Sequence, residues 1–341
     1  MKIRRNLLSD VAGIRVGSAQ DRLLGSGVTV ALFDRPAVAS VFVAGGAPAG
    51  RDLECLEPDR TVERIDALAL SGGSGFGLDA ATGVQAWLRE QGRGVPVASV
   101  RVPIAPTAIL FDLLNGGDKG WSRFPPYREL GYAACLDARP EFALGSTGAG
   151  FGATTFDAKG GLGSASTTTA AGHTVAALAS VNAIGSALIA GGPHFWAAPL
   201  EQDGEFGGLG LPSRLTPEML VPGWKGRSEP ATTLAIVATD AILTKAQAKR
   251  LATMAQGGLA RALRVSHAPM DGDIVFAVST GLRPLSSLHD FTAIGVAASD
   301  CLARSIARGI YEATALPFPG ALQAWRDLFS QDAGHHSSPE T

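Results

Sequence analysis

Ala231-Thr232-Thr233-Leu234-Ala235-Ile236-Val237-Ala238 joins two threonines to an uninterrupted apolar run, directly after the charged, proline-containing stretch Gly226-Arg-Ser-Glu-Pro230. A short apolar run rich in β-branched residues and bounded by turn residues reads as a strand buried on both faces. Downstream, Thr244 with Gln247 three positions on is a capping-box pair that opens a helix. Ala248, Leu251, Ala255, Leu259 and Ala262 recur at helical spacing and supply its buried face. A second apolar strand, Ile274 to Ser279, follows, and then a long helix from about Asp290 to Ala313 with Ala298, Leu302, Ile306 and Ile310 in steps of four. Strand, helix, strand, helix in this order predicts a layered α/β or α+β domain.

Upstream, Gly27–Phe33, Ala39–Ala44 and Asp66–Leu70 read as strands. A helix is expected from about Leu78 to Arg89, after the glycine-rich turn Ser71–Gly77, and further strands at Val95–Val102, around Ile109–Leu114 and at Phe142–Leu144. No Asp, Glu, Lys or Arg occurs from residue 160 to residue 200. That length would cross a bilayer, but its Gly, Ser, Thr, Asn182, His173 and Pro193 indicate core strand, turn and buried helix, so no membrane span is expected. Gly204–Pro230 is loop-like, and residues 331–341 form a polar tail expected to be disordered. A single catalytic domain over 1–330 accounts for the pattern.

Hydrophobic residues make up 46% of the 341 and charged residues 18%, which supports a large buried core; the 43 glycines favour tight turns and close backbone packing. With a net charge of −2 and no basic block, nothing favours nucleic acid as a partner. Cys55, Cys135 and Cys301 fit neither a disulfide framework nor a zinc site and read as thiols in a reducing compartment. The first ten residues offer only Leu7 and Leu8 as an apolar segment, too little for a signal peptide, and a cytoplasmic location is expected.

Several motifs carry two readings. A Thr-Thr pair suits the start of any strand. Yet if the bond before Thr232 is cut, that residue holds an α-amine beside its own hydroxyl, and base and nucleophile belong to one residue. Asp271-Gly-Asp273 is either a solvated turn or a pair of carboxylates on the same side of an extended chain, sharing one hydrogen-bond network. Lys159, the only cation between Pro140 and Leu200, is a loop lysine or a buried functional one that needs a partner. Asn182 lies in an apolar stretch where its amide must find hydrogen bonds, as structural glue or as an oxyanion donor. Gly148-Ala-Gly-Phe-Gly-Ala153 matches a dinucleotide fingerprint by letter but is not followed by a helix pattern. Gly72-Gly-Ser-Gly-Phe76 lacks the last glycine of a nucleophile elbow, so Ser74 reads as a turn or capping residue. The six histidines show no metal-ligand spacing, and no metal or cofactor is expected.

Taken together, Leu70–Asp79, Val102-Pro-Ile-Ala-Pro106 with Ile109-Leu-Phe-Asp-Leu113, Lys159–Ser166, Val181-Asn-Ala-Ile-Gly185, Thr232–Asp240 and Asp271-Gly-Asp273 resemble the DmpA-type family of self-processing aminopeptidases and amidases. Within it, the chain is most similar to the branch containing the nylon-oligomer (6-aminohexanoate oligomer) hydrolases. The resemblance runs in order from about Val11 to Phe329. It implies an αββα four-layer sandwich and a precursor cut between Ala231 and Thr232 into chains 1–231 and 232–341 that stay associated. It further implies homo-oligomers, either tetramers or dimers of processed units. By resemblance Thr232 matches the nucleophile, Asp271 and Asp273 the acidic pair, and Lys159 and Asn182 the remaining polar residues. Phe111 and Ser74 are candidates for contact with a small peptide or amide substrate. Two positions depart from the pattern. Ala231 replaces the Asn of the nylon hydrolases, although ornithine acetyltransferases of the same fold resemble this chain at Ala-Thr. Phe111 lies where the family pattern has a tyrosine. A threonine acyltransferase of the ornithine acetyltransferase type and a non-enzymatic binding protein on the same fold are the alternatives.

Overall fold

A computed structural model of the protein describes residues 5–226 and 230–329. The expected tail 331–341, like Arg227, Ser228 and Glu229, lies outside the described residues. The threonine stretch forms β10 (Thr232–Ala241), every residue of which is buried. It runs antiparallel to β9 (Thr174–Asn182) on one side and parallel to β11 (Ile274–Arg283) on the other. Leu234, Ile236 and Ala238 face one apolar cluster while Ala235 and Val237 face another, which is why the run shows no polar alternation.

The strand order explains the layers. One sheet contains β1 (Ile14–Asp21), the first half of β2 (Ser26–Val43), β3 (Gly50–Arg51), β4 (Ile65–Ser71) and β7 (Thr107–Ile109). The other contains the second half of β2, then β11, β10, β9 and β8 (Gly161–Thr168). β2 passes from one to the other at the exposed residues Asp34, Arg35 and Pro36, pairing with β1 and β4 before the bend, with Ile65 of β4 once more at Ala37, and with β11 from Val38 on. Between the sheets, Ala31, Phe33, Leu68 and Leu70 meet Leu178, Leu234, Ile236 and Phe276. Outside the first sheet lie α1 (Ala80–Glu90) and α2 (Tyr127–Asp137), whose Val84, Leu88, Ala134 and Cys135 cover Val28, Val30 and Leu32. Outside the second lie α3 (Lys245–Ala255), α4 (Gly257–Ala262) and α5 (Leu288–Tyr311). The result is the αββα sandwich. α5 packs close on β8, where a Cβ on Gly163 would come within 1.9 Å of the Ser305 carbonyl oxygen.

Several expectations are corrected. Val95–Val102 is not one strand but a hairpin of β5 (Val95–Val97) and β6 (Val100–Val102), turned at Ala98 in the left-handed region. The strand expected around Ile109–Leu114 ends at Ile109. Phe142–Leu144 forms no strand: it lies between a bridge from Arg139 to Val16 in one sheet and a bridge from Gly145 to Leu162 in the other, crossing between layers without a partner. The uncharged 160–200 stretch supplies β8 and β9 but no buried α-helix. The helix opened by Thr244 divides into α3 and α4 at Gln256, and a short α6 (Trp325–Phe329) follows α5. Among the described residues, no helix is long and apolar enough to cross a membrane.

Candidate active site

The start of β10 is where the second sheet brings its polar residues together. Register places Thr232 opposite Asn182 on β9, and a parallel bridge places Ala231 beside Asp271, just before β11. Thr232 is 5% exposed, Asp271 1% and Asp273 0%, so neither carboxylate sits in a solvated turn. Thr232 Oγ1 donates to the carbonyl oxygen of Ala231 at 2.5 Å, and the Gly272 N–H donates to the same oxygen at 2.9 Å. A Cβ on Gly272 would lie 2.4 Å from Thr232 Oγ1, so the hydroxyl occupies space that any side chain at 272 would fill.

The two acids have different surroundings. Asp273 Oδ1 accepts from the Thr233 N–H at 2.7 Å, and its Oδ2 accepts from the His267 N–H at 3.0 Å and lies 2.9 Å from His267 Nδ1. Burial first, and then the charge of Asp273, push the Asp271 carboxyl well above the usual carboxylate range. This raised proton affinity beside a second carboxyl group suits a pair that shares and passes on a proton.

Lys159 and Asn182 are close by but engaged differently. Lys159 is 1% exposed, and its Nζ donates to the carbonyls of Gly150 (3.0 Å), Ala153 (2.8 Å) and Gly160 (2.8 Å). Burial lowers its pKa to about 7 against the pull of Asp112, with Lys225 adding to the lowering. Asn182 Oδ1 accepts from the Thr154 N–H at 2.9 Å and from Lys225 Nζ at 3.3 Å, while its Nδ2 donates to the Phe111 carbonyl at 2.9 Å. Lys225 Nζ also donates to the Thr154 carbonyl at 2.9 Å.

Phe111, Asp112, Thr154, Lys159, Lys225 and Pro230 are among the residues lining a cleft of about 510 Å³. Ser74 does not line it: it begins a short 3-10 turn at φ +53, and its N–H donates to the Leu110 carbonyl. Asp112 is buried, accepts from Ser26 Oγ at 2.6 Å and from the Gly73 N–H at 2.8 Å, and is held above the usual carboxylate range by burial. Lys225, His267, Asp112 and the Gly272 N–H were not singled out from the sequence. Asp112 lies inside the segment Ile109–Leu113 and Gly272 inside Asp271-Gly-Asp273, but neither motif points to the group that acts. Among the described residues no group of His, Cys, Asp and Glu is arranged to hold a metal ion.

Comparison with known proteins agrees with this architecture. The profile of peptidase family S58 matches residues 6–321. An uncharacterized aminopeptidase of Mycobacterium tuberculosis is 40% identical over 95% of this chain and 98% of its own length. One from Mycobacterium leprae is 37% identical over 93% and 95%. Among solved structures, a Burkholderia β-aminopeptidase superposes with a TM-score of 0.72 at 23% identity, covering 99% of this chain and 96% of that one. The L-aminopeptidase D-Ala-esterase/amidase of Ochrobactrum anthropi, described as a new variant of the Ntn hydrolase fold, gives 0.69 at 20% identity, covering 96% and 94%. A family match across nearly the whole chain, on a sandwich with a buried threonine and two acids at the start of two neighbouring strands, places this protein in peptidase family S58, the DmpA-type family of hydrolases acting on peptide bonds.

Proposed function

We propose that the protein is a self-cleaving threonine amidase that hydrolyses short peptides or ω-amino acid oligomers through an ester on Thr232. The observation that carries the proposal is the hydroxyl of Thr232 at 2.5 Å from the carbonyl oxygen of the residue before it, with the Gly272 N–H on that same oxygen. In the first reaction Thr232 Oγ1 bonds to the Ala231 carbonyl carbon while the Gly272 N–H stabilises the developing oxyanion. The C–N bond breaks, the Thr232 nitrogen takes the hydroxyl proton by way of the acidic pair, and an ester joins Ala231 to Oγ1. Water hydrolyses it, leaving the Ala231 carboxylate and a free amine on Thr232.

In the processed enzyme that amine, with an ordinary pKa of about 7.7 to 8.0, accepts the proton of its own hydroxyl near neutral pH. A substrate carbonyl takes the place held by the Ala231 carbonyl and meets the same Gly272 N–H. Asn182 reads from sequence as structural glue or an oxyanion donor. Its amide is engaged with the Phe111 carbonyl, so the oxyanion is assigned to Gly272, and Asn182, paired with Thr232 across β9 and β10, holds Phe111 in the cleft lining. Lys159 supports the same lining, and in its protonated form, below about 7, it disfavours a second cation on the Thr232 amine.

Denaturing electrophoresis with amino-terminal sequencing tests this directly. Fragments 1–231 and 232–341 should appear, the smaller beginning at Thr232, and turnover of aminoacyl anilides and 6-aminohexanoate oligomers should depend on the cut. Full activity from an intact chain would rule the mechanism out.

A further inference from the structure

His267 takes no part in the scheme above, yet its ring lies between two elements of the site. It sits on the segment between α4 and Asp271, at φ +59, with its side chain 23% exposed. One ring nitrogen, Nδ1, is 2.9 Å from Asp273 Oδ2; the other, Nε2, is 2.9 Å from Oε1 of Gln256, the residue at which α3 gives way to α4. A carboxylate only accepts, so Nδ1 carries the hydrogen of the first contact, and Nε2 accepts from the Gln256 amide turned to present its N–H, the amide oxygen and nitrogen being interchangeable. Residue 267 thus places two donors, its main-chain N–H and its ring, on one oxygen of Asp273. A carboxylate is planar, and holding one oxygen sets the direction of the other. That other oxygen takes the Thr233 N–H at 2.7 Å and so orients the peptide that carries Thr232.

We propose that His267, braced by Gln256, is a positioning residue for the acidic pair: it fixes Asp273 so that the Thr232 hydroxyl is held against the carbonyl it attacks. The proposal rests on the Thr232 reading. It extends the site from β10 and β11 out to the junction of α3 and α4. The charge of Asp273 is also one of the causes, after burial, that raise the proton affinity of Asp271, so placing Asp273 acts on both acids. Misplacing a reacting group by about 1 Å can cost 100-fold in rate, and that is the size of effect expected.

The test uses the full chain with His267→Leu, His267→Asn, Gln256→Leu and Thr232→Ala. The readouts are the rate at which the fragment beginning at Thr232 forms, and kcat and KM on an aminoacyl anilide. Asparagine tolerates the left-handed backbone, and its amide N–H replaces the Nδ1 donor. His267→Asn should stay within a fewfold of the parent, while His267→Leu should lose about 100-fold in cleavage and kcat with KM nearly unchanged. Equal loss in both variants, or parent rates in His267→Leu, would overturn the proposal. If His267→Leu fails to fold, Gln256→Leu decides: a clear fall in kcat at unchanged KM supports the brace, and parent kcat overturns it. An uncut parent together with an active Thr232→Ala would overturn the Thr232 reading and this proposal with it. A cut parent with an equally fast His267→Leu would sink this proposal alone.

Discussion

At the start of β10 and β11, the Thr232 hydroxyl and the Gly272 N–H both meet one carbonyl, and two carboxyl groups lie beside them, that of Asp271 pushed up by burial and by its neighbour Asp273. Around Lys159 and Asn182 the polar groups are just as buried, but the contacts of Lys159 Nζ and Asn182 Nδ2 run to main-chain carbonyls. The first region aims its groups at a bond that can break. The second holds together a wall built from turns, where irregular backbone leaves carbonyls that need donors. Burial and polarity alone therefore do not separate chemistry from scaffolding; what each group faces does.

The sharpest test of this division is Thr232→Ala, which should abolish formation of the two fragments and all turnover while leaving the fold intact, as judged by electrophoresis and circular dichroism. Gly272→Ala should come next. Its new Cβ would lie 2.4 Å from Thr232 Oγ1, and displacing the hydroxyl should slow cleavage by about 100-fold.

In the second region, Lys159→Met should act on stability. It removes a charged donor from three buried carbonyls, of which those of Gly150 and Ala153 keep main-chain donors, and should cost about 1–3 kcal/mol in denaturant unfolding. Lys159 also gives that wall a pH signature. Its pKa falls from the ordinary 10.5 to about 7 on folding, so the folded chain binds its proton less tightly than the unfolded chain does. The stability linked to this group is complete above about 10.5 and is lost as pH falls through about 7. Melting temperatures of the parent measured across that window should show this slope, and Lys159→Met should flatten it. The smallest effect is expected from Ser74→Ala, outside the cleft lining, with activity unchanged and stability within about 0.5 kcal/mol. A large loss of activity there would mean the cleft extends further than Phe111 and Asp112.

The sequence made β10, β11, α3 and α5 legible because they have strong, regular patterns: two doubly buried apolar strands and helices with apolar residues every three to four positions; β8 and β9 lay undivided in the uncharged stretch 160–200. α2 was missed because its buried positions are Tyr127, Gly131, Ala134 and Cys135, mostly small residues that make a weak stripe. The common location of Asp271 and Asp273 could be read from alternation alone. Lys225 could not, since its partners Thr154 and Asn182 are far away in sequence, nor could His267, whose nearby partners Asp273 and Gln256 are joined to it by irregular backbone with no period to place its ring. Gly272 was invisible for another reason: its contribution is a main-chain N–H, which every residue but proline possesses. Lys159 stood out as an isolated cation, yet nothing in the letters distinguishes a lysine that serves a substrate from one that serves three carbonyls.

β2 has a consequence beyond joining the two sheets. Fragment 232–341 would contribute β10 and β11 as a parallel pair, held on one flank by β9, from Thr232 opposite Asn182 to Thr239 opposite Val175, and on the other by β2, from Ile274 opposite Val43 to Ser279 opposite Val38. The fragment is thus a dovetail, gripped on both sides by the other piece. Breaking the covalent chain at its mouth releases an amine but no strand, so the cut molecule should still melt as one body and its halves should part only in denaturant.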